Sequence, residues 1–170
     1  MRHLAVCVFT VVMVANAQAD PARTAAWDVY FSPRGGAQEA VVRELNLAKK
    51  TVYVQAYSFT NAPIAKALVE ASKRGVAVEL VLDKSNATAR YSAATFTRNA
   101  GLPTAIDAAH AIAHDKVMII DERTVITGSY NFTSAAEHNN AENLLVLRDF
   151  ELARRYLANW RKHRAHAKPS

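Results

Sequence analysis

The sequence predicts an α/β fold, a layered sandwich in which a central mixed, largely parallel sheet carries helices on both faces. Three observations predict it. Short β-prone runs alternate with stretches of helical periodicity from residue 27 to the C-terminal region. One run, VAVELVLD at 76–83, is apolar almost throughout, as expected of a strand covered on both sides. Finally, the 170 residues contain no repeat, linker or low-complexity tract, and their length suits one domain with a real core.

The elements follow in chain order. WDVYF at 27–31 reads as a first strand, and SPRGG as the turn after it. A helix is expected from about Ala37 to Lys49, with Val41, Leu45 and Ala48 on one face. TVYVQAYSF at 51–59 is strongly β-prone. Asn61 and Pro63 mark the start of a helix that ends near Gly75, with Lys73 and Arg74 in its last turn. The buried strand 76–83 follows, then a weakly helical stretch from Ser85 to Ala100 and a short strand, PTAID. Two apolar strands flank the turn DERT at 121–124 and read as an antiparallel pair. ENLLVL at 142–147 is one more strand. A last helix begins near Asp149 and stacks Phe150, Ala153, Leu157 and Trp160; its basic end, RKHRAHAKPS, is expected to fray.

The first 19 residues have a different character. Arg2, an apolar run from Leu4 to Ala15, and small residues before Asp20 form the pattern of a secretory signal peptide. Ala17 and Ala19 both end acceptable cleavage sites, and the run is shorter than the roughly 20 residues that span a bilayer. The expected division is a signal peptide at 1–19 and one domain at 20–170, exported to the periplasm or secreted, without stable membrane association after cleavage. Cys7, the only cysteine, lies in the leader, so the mature domain relies on its core rather than on disulfides. Cleavage removes Arg2 and no acidic residue, leaving 20 basic against 15 acidic side chains and a charge near +5. A mild positive charge favours a polyanionic partner.

The chemistry concentrates in AHDKVMIIDERTVITGSYNF, residues 113–132. Residues two apart on a strand share a face. His114 and Lys116 therefore point one way, and so do Ser129 and Asn131, gathering four polar groups where a purely structural sheet would use Val and Ile. Imidazole is a nucleophile near neutral pH. Lysine offers a fixed positive charge, Asn131 and Ser129 offer donors, and Gly128 lets backbone approach a ligand closely. Together they describe an oxyanion pocket beside a nucleophile, and phosphate is the obvious oxyanion. The imidazole needs a carboxylate on Nδ1 to leave Nε2 free. Glu142, opening an otherwise apolar strand, is the best candidate; an exposed strand end without that role is the alternative reading.

The spacing His114-x-Lys116, four residues, Asp121, six residues, Gly128-Ser129-x-Asn131 resembles the signature of the phospholipase D superfamily without departure. YFSPRGG, VQAYSFTN and ASKRGVAVELVLDKS extend the resemblance, across nearly all of the mature chain, to the small bacterial endonucleases of that superfamily. The resemblance implies a metal-independent phosphodiesterase with no cofactor, acting through a covalent phosphohistidine on the motif histidine. It implies that Lys116, Ser129 and Asn131 hold the phosphate, that Glu142 is the acidic partner of the histidine, and that Asp121 is structural. Residue parity agrees on Asp121, which faces away from His114 and would brace the turn. Larger members carry the signature twice and this chain carries it once, so a homodimer sharing one active site is expected.

Other candidates weigh less. His110 and His114 are four apart, but HAIAH lacks the Glu of a zinc protease and reads as a strand, so no metal site is expected there. Asp115 should face away from the pocket, and His138 should be solvated. Tyr57 and Phe59 should be core, with a pocket-lining role as the alternative. Arg161, Lys162 and Arg164 read as a solvated face rather than a nucleic-acid contact. The function expected is hydrolysis of DNA, with RNA as a second polymer, without sequence specificity. A phospholipid phosphodiesterase and a non-catalytic nucleic-acid-binding protein are the rivals.

Overall fold

The computed structural model describes residues 26–87 and 93–170; the leader pattern with Cys7 lies outside the described residues. The elements are β1 (Ala26–Ser32), α1 (Ala37–Leu47), β2 (Thr51–Ala56), α2 (Ala62–Lys73), β3 (Ala77–Asp83), α3 (Ala93–Asn99), β4 (Thr104–Asp107), β5 (Lys116–Ile120), β6 (Thr124–Gly128), α4 (Ser134–His138), β7 (Glu142–Arg148), α5 (Phe150–His166) and β8 (Lys168–Pro169). Among the described residues the strands form one sheet in the order β1-β7-β6-β5-β2-β3-β4-β8.

The layered α/β class and the mixed sheet are as expected, but the sheet is largely antiparallel. Only the neighbours β2–β3 and β3–β4 are parallel. The other neighbours, including β1–β7 and β2–β5, run antiparallel. The reason lies in the connections. Parallel neighbours need a crossover of a dozen or more residues, and the links holding α2 and spanning 84–103 serve as the two that join parallel neighbours. From β5 to β6 the link is a three-residue turn, which forces a reversal, and the segment 129–141 with the short α4 returns β7 antiparallel beside β6. Helix α1 does cross over, yet β1 goes to the far edge beside β7 rather than beside β2.

Helices cover both faces. Val41 and Leu45 of α1 and Ile64 and Leu68 of α2 pack with Val54, Leu80, Met118 and Ile126. On the opposite face Ala153, Leu157 and Trp160 of α5 pack with Val81, Val117, Ile119 and Val125. Strand β5 is consequently buried along its whole length. The Trp160 indole donates to the Val54 carbonyl at 2.9 Å, which docks α5 across the sheet.

Two expectations about helices are corrected. The C-terminal end does not fray: α5 runs to His166, and Ile106 and Ala105 pair with Lys168 and Pro169 of β8, giving those backbone groups ladder partners. In place of a helix across Ser85–Ala100, a 3₁₀ turn spans Lys84–Asn86 and α3 begins at Ala93; residues 88–92 between them lie outside the described residues. Helix α4, which the sequence did not announce, is capped by Thr133, whose side chain accepts from the Ala136 N–H.

Candidate active site

Strands β1, β2, β3, β4 and β6 point one way and β5, β7 and β8 the other, so the C-terminal ends of the first group meet the N-terminal ends of the second. The motif residues other than Asp121 collect at that end, around β2, β5, β6 and β7. His114 lies two residues before β5, not inside it; the Tyr57 N–H donates to the Asp115 carbonyl at 2.8 Å and carries the extended geometry back to it. Likewise Ser129 and Asn131 follow β6, where the N–H groups of Ser129 and Tyr130 both donate to the Asn143 carbonyl.

The alternation survives beyond the strand ends. Ser129 is exposed, Tyr130 buried, Asn131 half-buried and Phe132 buried. The Tyr130 hydroxyl donates to Glu137 at 3.0 Å. Burial, then that hydrogen bond and the nearby carboxylates, push the phenol's pKa well above its ordinary value. The Phe132 carbonyl accepts from the N–H groups of Thr60 and Asn61, and the Phe132 ring meets Phe59 edge-on. Inward aromatic anchors thus hold Ser129 and Asn131 outward. Gly128 is required by a contact other than the one anticipated: its φ is +148°, and a Cβ there would lie 2.2 Å from the Asn143 carbonyl oxygen. It lets β6 approach β7, not a ligand.

At the centre, Lys116 is buried and its Nζ lies 2.8 Å from the His114 carbonyl and 3.1 Å from His114 Nδ1. Burial depresses the lysine pKa, and the carboxylates of Asp115 and Glu142 offset only part of that. The Tyr57 ring packs tilted against His114 with centroids 4.6 Å apart, and Lys116 Nζ lies over the same ring at 5.2 Å. Tyr57 is therefore a lining residue, whereas Phe59 is core.

Glu142 does not sit on His114. Its carboxylate accepts from Ser129 Oγ at 2.6 Å and from Asn140 Nδ2 at 3.0 Å. His114 Nδ1 faces Lys116 Nζ at 3.1 Å, so a lysine rather than a carboxylate adjoins that nitrogen. The carboxylate expected on Nδ1 is thus engaged elsewhere, by Ser129 and Asn140. Among the described residues, Asn131 Oδ1 is a buried motif oxygen without a hydrogen-bond partner.

Asp121 is the brace the sequence implied, acting on a neighbouring junction. Its carboxylate accepts from the N–H groups of Lys49, Lys50 and Thr51 at 2.7–3.0 Å, tying the α1–β2 link to the β5–β6 turn. Burial alone would raise its pKa, but those three N–H donors lower it. Asp115 faces away from the site and accepts from Gln55. His138 is exposed. Residues 108–115 form a loop rather than a strand; His110 faces Asp107 while His114 faces Tyr57. Arg161 and Lys162 are exposed, and Arg164 pairs with Glu79. The site is an open surface, with His114 and Ser129 exposed; a groove lined by Lys50, Asp121, Arg123 and Phe150 lies at the opposite end of the sheet.

Known proteins resemble this chain along most of its length. Residues 41–164 match the family described as cardiolipin synthase, PLD-like domain. A phospholipase D of Rickettsia felis is 42% identical over 135 residues, covering 79% of this chain and 68% of its own. The human mitochondrial cardiolipin hydrolase is 30% identical over 131 residues, covering 76% of this chain and 52% of its own. Among solved structures, Nuc from Salmonella typhimurium, a phospholipase D family member, superposes with a TM-score of 0.83 at 40% identity, covering 86% of this chain and 98% of that one.

Proposed function

The chain belongs to the phospholipase D superfamily, whose enzymes are phosphodiesterases, and on that premise we propose that it is an exported, metal-independent endonuclease acting on DNA, with RNA as a second polymer. The observation that carries the proposal is an exposed His114 with the buried Lys116 amine beside it, on a chain of positive charge, an arrangement that suits a phosphodiester of a polyanionic backbone. Near-complete coverage of Nuc supports the same reading.

In this mechanism the Lys116 ammonium leaves His114 Nδ1 for the arriving phosphate, an anion that outcompetes a neutral imidazole nitrogen. With the ring proton on Nδ1, the Nε2 lone pair attacks phosphorus. The bond to the leaving oxygen breaks, and a proton donor neutralises that oxygen. Water hydrolyses the phosphohistidine and restores His114. Lys116, Ser129 and the Asn131 amide hold the non-bridging oxygens. Glu142 is a positioning residue that fixes Ser129. A second subunit supplies the second imidazole for the proton transfers, since one chain carries the signature once.

The second reading, a phospholipid phosphodiesterase, is favoured by the names of the Rickettsia and human relatives and by Ile112, 55% exposed two residues before His114. Among the described residues no helix is long and apolar enough to cross a membrane. Plasmid nicking and phospholipid headgroup release, measured on the same purified mature protein, decide between them. Nicking without release is expected; release without nicking reverses the assignment, and neither activity leaves a binding protein. Export is tested by mass spectrometry of secreted material, which should lack residues 1 to about 17–19 by the leader pattern.

A further inference from the structure

A second cluster of chemistry-bearing side chains lies at the same end of the sheet, on the far edge beside β4 and β8. Asp107 closes β4 and is completely buried. One of its oxygens, Oδ1, accepts from the Ala109 N–H at 3.0 Å. The other, Oδ2, is surrounded by three imidazoles: His163 Nδ1 at 2.8 Å, His166 Nε2 at 3.1 Å and His110 Nε2 at 3.8 Å. The three rings also face one another, with centroids 5.0–5.5 Å apart. Hydrogen bonding to Asp107 accounts for His163 and His166. It does not account for His110, which is too far to donate and yet is turned inward.

We propose that Asp107, His110, His163 and His166 form a four-ligand site for one divalent transition-metal ion of the zinc class. The donor set is that of a tetrahedral zinc site: three imidazole nitrogens and one carboxylate oxygen. All four donor atoms lie within 4.8 Å of one another. A zinc ion with ligand bonds near 2.1 Å needs donor separations of about 3.4 Å. The three Asp–His separations already bracket that value, and the His–His separations close to it by small rotations of His110 and His166, whose side chains are 46% and 38% exposed. The ligands arrive as two i,i+3 pairs, DAAH at 107–110 and HRAH at 163–166, a spacing that puts both members of a helical pair on one face. On binding, each coordinating imidazole nitrogen must be free of its proton, and the carboxylate supplies the negative charge.

The ion would act as a clamp. It joins the last turn of α5, the end of β4 and the loop 108–113, which runs directly into His114. That loop is otherwise fastened by the Ala113 N–H donating to Asp83 at 2.8 Å and by Lys84 donating to the His110 carbonyl at 3.2 Å. His114 is not a ligand, so the clamp is separate from the phosphate chemistry.

The test uses untagged mature protein, stripped with a chelator, dialysed and titrated with cobalt(II) and then zinc. One equivalent of cobalt with the visible bands of a four-coordinate ion is expected, displaced by zinc, with a rise in Tm on metal addition. His110→Gln and His166→Gln sit at exposed positions and should fold by circular dichroism, yet weaken binding by about 100-fold or more and abolish the Tm rise. His114→Ala should bind as the wild type does. Absence of stoichiometric binding, binding unchanged in both glutamine variants, or binding lost in His114→Ala would each overturn the proposal.

Discussion

At the scale of single residues, Lys116 carries the sharpest expectation. Its ammonium is buried against His114 and no backbone ladder depends on its side chain, so Lys116→Ala should keep the fold and lower turnover by about 10²–10³-fold, as loss of a preorganised charge does. Near wild-type cleavage by a folded variant would remove Lys116 from the site. Because Lys116, Ser129 and Asn131 can stabilise the phosphate oxygens themselves, cleavage at 25 °C should persist in excess EDTA. Activity lost in EDTA and restored by magnesium would refute that mechanism. Gly128→Ala is expected to destabilise by about 2–5 kcal/mol, combining an unfavourable φ with a collision against Asn143. Denaturant unfolding checks it, and a stable variant would mean that the β6–β7 bulge can relax.

Among elements, the most informative junction is the one Asp121 makes. Three N–H groups of the α1–β2 link converge on its carboxylate, so Asp121→Asn should cost about 1–3 kcal/mol at pH 7. The folded-state pKa is lowered below the ordinary value near 3.9. The unfolded chain therefore binds the proton more readily, and this contribution is complete above about pH 4 and lost as pH falls through the folded-state value. The gap between wild type and Asp121→Asn should accordingly narrow in acid. Equal gaps at pH 7 and pH 2.5 would show that shape, not charge, is what Asp121 contributes.

For the whole molecule, the question is how many chains make one site. A shared site brings His114 of both subunits to one phosphate through an isologous interface. It also brings two Lys116 ammoniums together, so phosphate or sulfate should stabilise the dimer. Wild type coexpressed with a differently tagged His114→Ala chain gives a heterodimer that both tags isolate. Nearly complete loss of activity is expected if the two histidines serve one phosphodiester. About half activity in a heterodimer shown not to exchange subunits, or full activity from a monomer, would refute the shared site.

The sequence by itself determined the existence of most elements, the motif and the sidedness of its residues. Those properties are local: alternation places Ser129 and Asn131 outward and Tyr130 and Phe132 inward whether or not the strand formally continues. Only the tertiary structure decided which strands are neighbours. The alternation of strands and helices is the same whether α1 returns the chain beside β1 or across the sheet, so it could not disclose that β1 pairs with β7 and that antiparallel pairs predominate. Side-chain partners between distant segments were hidden for the same reason. Nothing in ENLLVL reveals that Glu142 turns to Ser129 instead of His114. Nothing near His163 names Asp107, 56 residues earlier, as its partner. Periodicity records which face a residue occupies, and packing alone sets what that face meets.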